Sequence, residues 1–332
     1  YGELDVENLG LVSVAHLDTY AGFVFATWAE DAPTLEAYLG DMRWYMDLPF
    51  NRRYGGVELI GPFKWIIPNN WKNSQDNFIG DRYHAAISHR SYTLARQAIY
   101  GRPPGGGGNT GSWHEPGNQV HAAWGHGGAV NILPEQSDSK GNPNQVPLGG
   151  QILGEYVKSI LPEMEERLGA FRARRVRPGH QGVFPHMSWL NGHFPVRVWH
   201  PRGPLHTEVW AWWVQDAAAS DEVKKAYRIG GMQAFGPAGC MEQDDMDNWR
   251  NAGDAGLSVQ ARKYPQEISM GVAHEETHDE LPGVIAVRKN VAEVNQRYFY
   301  ARWQEFMNAR AWSDILVAPM TATYEGTAGM KG

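Results

Sequence analysis

The sequence predicts an α+β domain built on an antiparallel β-sheet with flanking helices, and three observations carry that reading. Strand-like runs separated by turn residues cluster in the middle of the chain, between Gly182 and Gln215. Helix-like patterning lies outside them, at Gly150 to Arg175, Asp221 to Phe235 and Asn290 to Ala309. The 332 residues are 42% apolar, enough to bury a large core, and no linker forces a division, so residues 1–332 read as one domain.

In chain order, Gly22 to Trp28 has the composition of a short buried strand. Ala32 to Asp47 follows with Leu35, Leu39, Met42 and Met46 at helical spacing, and Val57 to Lys72 is strand-like. Glycine and proline density from Gly101 to Gly128, including Gly105 to Gly108, and again from Pro134 to Pro147 marks long irregular excursions. Such loops in a compact domain commonly cover or open a site. The basic cluster from Arg172 to Arg177 suits the C-terminal end of a helix. Turns are expected at Asn191-Gly192 and at Pro201-Arg202-Gly203-Pro204. In the last helix Val291, Val294, Tyr298 and Ala301 form a stripe that Phe299, Trp303 and Phe306 widen, as for a helix lying on a sheet. Trp210, Trp212 and Trp213, among 14 tryptophans, sit in alternating strand runs where core packing is the default.

A net charge of −7 and a pI near 6.0 give no electrostatic reason to bind nucleic acid or an anionic membrane. The single cysteine, Cys240, excludes an internal disulfide framework and fits a reducing compartment. It also excludes a Rieske [2Fe–2S] centre held by this chain, which needs two cysteines and two histidines. No apolar run reaches the roughly 18 to 20 residues that span a bilayer, and nothing resembles a signal peptide, so the expected location is the cytoplasm.

The chemistry concentrates in two stretches. After an Asp- and Asn-rich run, His84 and His89 stand with four residues between them. Far along the chain Glu242, Asp244, Asp245 and Asp247 offer carboxylates. Two histidines and one carboxylate on one face of an ion leave the opposite face open, the arrangement of non-haem Fe(II) oxygenases. On a straight helix Asp81 and His84 share a face, whereas His84 and His89 diverge by roughly 140°. A break or irregular turn is therefore expected between the two histidines, with Gly80 a place for earlier irregularity.

The frame around these residues resembles the catalytic domain of the α subunit of Rieske-type aromatic-ring-hydroxylating dioxygenases. Asn70-Trp71-Lys72, Asn77-Phe78, Gly80-Asp81, His84 and His89 fill every fixed position of that family's pattern. Phe235-Gly236-Pro237-Ala238-Gly239 followed by Glu242, Asp244-Asp245 and Asn248 matches its second motif. Phe184-Pro185 with Leu190, Val198-Trp199-His200-Pro201 and Thr207-Glu208-Val209-Trp210 read like its central strands, so the likeness covers nearly the whole chain.

The resemblance implies a helix-grip (Bet v1-like) catalytic domain with mononuclear Fe(II) on His84, His89 and Asp245. It implies that Asp81 links the iron to the Rieske cluster of a neighbouring subunit, besides orienting His84 through a hydrogen bond. Asn77 would lie near the iron; Phe78, Leu190, Phe235 and Met241 would line the substrate pocket, with His180 facing it. Met241 replaces the bulkier ring of some relatives, which gives a more adaptable pocket. The implied reaction adds both atoms of O2 to an aromatic ring as a cis-dihydrodiol, with electrons from NAD(P)H through a reductase and usually a ferredoxin. A ring-shaped trimer of α subunits, commonly with β subunits, follows from the family pattern. Tyr1-Gly2-Glu3-Leu4 resembles the point where such a subunit leaves its Rieske domain, so that domain is expected to precede this chain.

No arginine falls on the mapped pocket positions, which favours a bicyclic or polycyclic hydrocarbon over an aromatic carboxylate such as a phthalate. Arg82, Arg90 or Arg102 would be the route to an acid. Two features point elsewhere. His121 and His126 repeat the histidine spacing without neighbouring carboxylates. His274-Glu275-Glu276-Thr277-His278 satisfies the zinc-protease signature, which requires both histidines on one helix, yet Gly271 and Leu281-Pro282-Gly283 flank it as they would a polar loop. A ligand-binding domain that keeps the fold without metal is the remaining alternative.

Overall fold

A computed structural model describes residues 2–92, 94–95, 117–134, 151–190, 195–283, 285–288 and 291–315. Nine strands form one antiparallel sheet: β3 (Val57–Ile67), β4 (Asn118–Ala123), β5 (His126–Ile132), β6 (Val176–Val183), β7 (Met187–Leu190), β8 (Pro195–Pro201), β9 (Thr207–Asp216), β10 (Glu275–Glu276) and β11 (Ile285–Val287). Their order across the sheet is β10-β11-β4-β5-β6-β7-β8-β9-β3. β1 (His16–Tyr20) and β2 (Phe23–Thr27) make a separate hairpin. Helices α1 (Leu35–Leu39), α2 (Met42–Phe50), α3 (Trp71–Gly80), α4 (Ala85–Ser88), α5 (Gln151–Ser159), α6 (Leu161–Leu168), α7 (Ala170–Arg175), α8 (Asp221–Phe235), α9 (Cys240–Gly256) and α10 (Val294–Asn308) flank the sheet. The architecture is the expected antiparallel sheet with flanking helices. Among the described residues no helix is long and apolar enough to cross a membrane.

Strand alternation divides the core between two faces. Trp189, Val196 and Val214 turn to one side, where they meet Leu39, Met46 and Phe50. Trp199, Ala211 and Trp213 turn to the other, where Phe78 and Trp249 close over them. The second face carries α3, and with it the start of the histidine motif.

Several expectations are corrected. The strand over 22–28 is not buried: among the described residues β2 pairs only with β1, so Phe23 and Phe25 pack inward while Val24 is 66% exposed. The single helix expected over 32–47 is two, parted at Gly40, whose φ of 46° ends α1. β3 stops at Ile67 because Asn70 caps α3, its side chain accepting from Lys72 N at 3.1 Å. The end of the glycine-rich stretch is not a loop but the hairpin of β4 and β5. Gly127 is a strand residue under a helix, where a Cβ would collide with Asn295 Oδ1, and Gly128 presses on Gln181 of β6. Residues 101–116, almost all of the expected excursion over 134–147, and the Asn191-Gly192 turn lie outside the described residues. The remaining expected turn, over residues 201–204, joins β8 to β9, and the basic run does end α7.

Candidate metal centre

α3 ends at Gly80, the chain bends through Arg82 and Tyr83, and a one-turn helix, α4, follows. His84 caps the start of α4 and His89 caps its end. The break therefore lies before His84, and the irregular residue is His89 itself (φ −97°, ψ 24°), rather than a point between them. This local geometry overcomes the 140° divergence of a straight helix: the two Nε2 atoms are 3.3 Å apart.

The third corner comes from α9. Asp245 Oδ1 is 3.2 Å from His84 Nε2 and 3.3 Å from His89 Nε2. The three atoms form a nearly equilateral triangle whose centre is about 1.9 Å from each, just under the roughly 2.0–2.2 Å at which imidazole and carboxylate hold a first-row divalent ion. His84, His89 and Asp245 would hold such an ion, a two-histidine, one-carboxylate donor set suited to Fe(II). Asp245 Oδ1 is buried and makes no hydrogen bond of acceptable angle, as expected for an atom aimed at a common centre rather than at either ring. Among the described residues this is the one group of three or more such side chains close enough to hold a metal ion.

Each imidazole has its second nitrogen turned to the backbone or a carboxylate. His84 Nδ1 is 2.5 Å from the Asp81 carbonyl oxygen and 3.3 Å from its carboxylate. Asp81 also accepts from His84 N at 3.2 Å, and Asn77 Nδ2 donates to it at 3.2 Å. His89 Nδ1 lies 3.3 Å from Asp244 Oδ2. Contacts of this kind fix ring orientation and leave Nε2 for an ion. In the sequence Asp244 is one of four neighbouring carboxylates and competes with Asp245 for a single ligand position. On α9 neighbouring residues point about 100° apart, so the two can serve different atoms of one site.

Charge is matched accordingly. Burial opposes a charge on His84, but the contacts and charges of Asp245 and Asp81 outweigh it and push its pKa up to about 10. Burial also works against the Asp245 carboxylate, and the nearby His84 and His89 rings more than offset it, holding its pKa below the ordinary value.

Of the expected pocket residues, Phe235 and Met241 come together in one buried cluster with Ala234, and Leu190 packs against it. Tyr92, three residues beyond His89, belongs to the same cluster and was missed; its helical spacing from the histidine was the available signal. Phe78 sits apart, in the tryptophan cluster against Trp199 and Trp249, and Leu190 touches both groups. His180 pairs across β6 and β7 with Leu190, so the two share a face. Its Nε2 is buried without a hydrogen bond, and burial, then the charges of Arg82 and His84, holds its pKa well below the usual value.

The two competing histidine pairs are structural. His126 Nδ1 accepts from Phe184 N at 2.9 Å and its Nε2 faces the Tyr38 carbonyl at 2.9 Å; His121 stacks on Tyr298. His274 ends a single 3-10 turn, Glu275 and Glu276 form β10, and Glu275 binds Arg297. The pair His274 and His278 therefore does not share a helix, which the protease chemistry requires.

The family model for ring-hydroxylating α subunits (catalytic domain) matches residues 35–309. The biphenyl dioxygenase α subunit of Metapseudomonas furukawaii is 36% identical over 306 residues, covering 91% of this chain and 64% of its own length. The benzene 1,2-dioxygenase α subunit of Pseudomonas putida is 35% identical over 318 residues, with 91% and 66% covered. The solved structure of naphthalene 1,2-dioxygenase with indole bound in the active site superposes with a TM-score of 0.79 at 26% identity, covering 94% of this chain and 68% of that one. The chain thus spans somewhat under two thirds of the biphenyl dioxygenase subunit it matches. With the motif residues meeting at one point of a matching fold, the chain belongs to the family of ring-hydroxylating α subunits, over their catalytic domain.

Proposed function

We propose that this chain is the catalytic domain of a terminal oxygenase that adds both atoms of O2 to an aromatic ring, with a mononuclear ferrous ion on His84, His89 and Asp245. The observation that carries the reading is the triangle of Nε2, Nε2 and Oδ1 at 3.2–3.3 Å beside an apolar cluster. Bound there, a ferrous ion would supply the redox chemistry of O2 activation that side chains alone cannot. The protein's part is placement. Asp81 and Asp244 hold the imidazoles in register, and Leu190, Phe235, Met241 and Tyr92 offer an apolar wall for a flat ring. Asn77, through Asp81 and His84, belongs to the metal side of the site.

The side chain of Asp81 is 21% exposed, so it can face His84 on one side and an incoming electron donor on the other. Electrons would arrive from a [2Fe–2S] centre that this chain, with one cysteine, cannot bind. NAD(P)H, a reductase and a ferredoxin would feed that centre, and a trimer of α subunits with β subunits would place one subunit's cluster beside the next subunit's Asp81. For substrate, the apolar wall supports a bicyclic or polycyclic hydrocarbon, in keeping with the biphenyl and naphthalene named for its relatives. A reconstituted turnover assay with naphthalene, biphenyl and phthalate tests this: cis-dihydrodiols from the hydrocarbons are expected, and turnover of the acid alone would overturn the substrate class.

A further inference from the structure

We infer that Arg197 and Glu242 form a positioning clamp that couples the apolar wall to Asp245, an inference that rests on the metal site proposed above. Arg197 stands on β8, fully buried, with its guanidinium carbon 4.9 Å from the Trp65 ring centre and 5.9 Å from that of Trp213. From there Nη2 donates to two acceptors at once: Glu242 Oε2 at 2.7 Å and the Phe235 carbonyl at 2.8 Å. Phe235 is the last residue of α8 and Glu242 lies in the first turn of α9. One cation therefore holds both ends of the Gly236–Gly239 turn. The wall residues Phe235 and Met241 flank that turn, and Asp245 follows Glu242 by three residues, on the same face of α9. Gly239, at the N-cap of α9, has no side chain to fix the helix start, so the clamp takes that place.

Stability does not account for the pair. Both side chains are 0% exposed. Removing two charges from water offsets most of their mutual attraction, and apolar residues of similar size commonly hold such a contact as well. Arg197 Nε and Nη1 and Glu242 Oε1 are left buried without hydrogen bonds, an arrangement poor as glue and specific as an anchor. The other carboxylate acting on the guanidinium is Asp245, so the cation lies in the field of the metal ligand as well as in that of its partner. Burial, opposed by Arg197 and reinforced by Asp245, raises the Glu242 pKa to about 7, which places the two acids and the cation within one field.

The test separates packing from positioning. In the full-length protein, R197M/E242M replaces the pair with apolar residues of similar length, and Fe(II) affinity is measured anaerobically by chelator competition well below the thermal midpoint. The expected result is a folded protein with near wild-type Tm and Fe(II) affinity lowered by about 10- to 100-fold, the size typical of residues that orient ligands. The Co(II)-substituted protein should show a shifted d–d spectrum. Wild-type affinity and spectrum in the double variant overturn the clamp. If that variant does not fold, E242D decides: it keeps the charge pair but is one methylene too short for Nη2 to hold both the carboxylate and the Phe235 carbonyl as it does now, so a loss in the same direction is expected and wild-type affinity again overturns the clamp. A wild-type protein that binds no Fe(II) instead refutes the metal site itself, so the two failures are distinct.

Discussion

Acid should expose the structural character of the second histidine pair, and His126 sets the size of the effect. Its ring is fully buried in β5, Nδ1 accepting the Phe184 N–H and Nε2 donating to the Tyr38 carbonyl, each at 2.9 Å. A neutral ring satisfies both partners, whereas a proton on Nδ1 would set one donor against another. Burial, only partly opposed by the Tyr38 carbonyl and reinforced by the charge of Arg302, pushes the pKa down to about 3. In the unfolded chain the same imidazole titrates near 6.5. The unfolded state therefore binds the proton first as pH falls, so the contribution is complete above pH 6.5 or so and drains away between there and about pH 3. For one such group the loss between about pH 7 and pH 5 is roughly 2 kcal/mol. His126→Gln keeps a donor and an acceptor but cannot titrate. Urea unfolding of both proteins across that range should show the advantage of the wild type shrinking by this amount, with metal content equal in the two. A gap that stays constant with pH would refute the assignment of His126 as a buried neutral bridge.

Three further outcomes follow from named contacts. Elemental analysis should find about one iron per chain in the wild type and in His274→Ala, and loss of it in His84→Ala and Asp245→Ala, since only the latter pair belongs to the triangle; zinc that departs with His274 would move the site. Asp81→Ala removes the carboxylate beside His84 Nδ1 while keeping the backbone carbonyl contact, so most iron should remain as coupled product formation collapses; full coupled turnover would remove Asp81 from electron delivery. Gly231→Ala puts a Cβ 1.9 Å from Trp213 Cδ1, where α8 crosses the sheet, and should destabilise the protein by at least about 1–3 kcal/mol in denaturant titration; an unchanged midpoint would mean that α8 can lift away freely.

What the sequence made legible follows from which physical signals it carries. The alternating run that holds Trp210, Trp212 and Trp213 marked β9, and helix-like patterning over Asp221 to Phe235 marked α8 to the residue. Hydropathy failed where backbone closeness or polarity is the design. Gly127 and Gly128 read as loop residues because their reasons for being glycine, Asn295 of α10 over the first and β6 at Gln181 beside the second, are distant in sequence. The break between α1 and α2 depends on the conformation of Gly40, which no apolar period records.

The largest omission, α9, explains itself at the site. Its buried positions are Met241, Glu242, Asp245 and Trp249, a helical stripe in which half the residues are acids. A pattern reader counts those acids as solvent-facing, and a carboxylate-rich helix face is ordinarily just that. Here the stripe can be buried because each acid meets a partner from elsewhere in the chain: Arg197 from β8 for Glu242, His84 and His89 from either end of α4 for Asp245. Those partners lie from 45 to 161 residues away, so the polarity that hides the helix from local pattern and the chemistry that makes it a metal site have one cause.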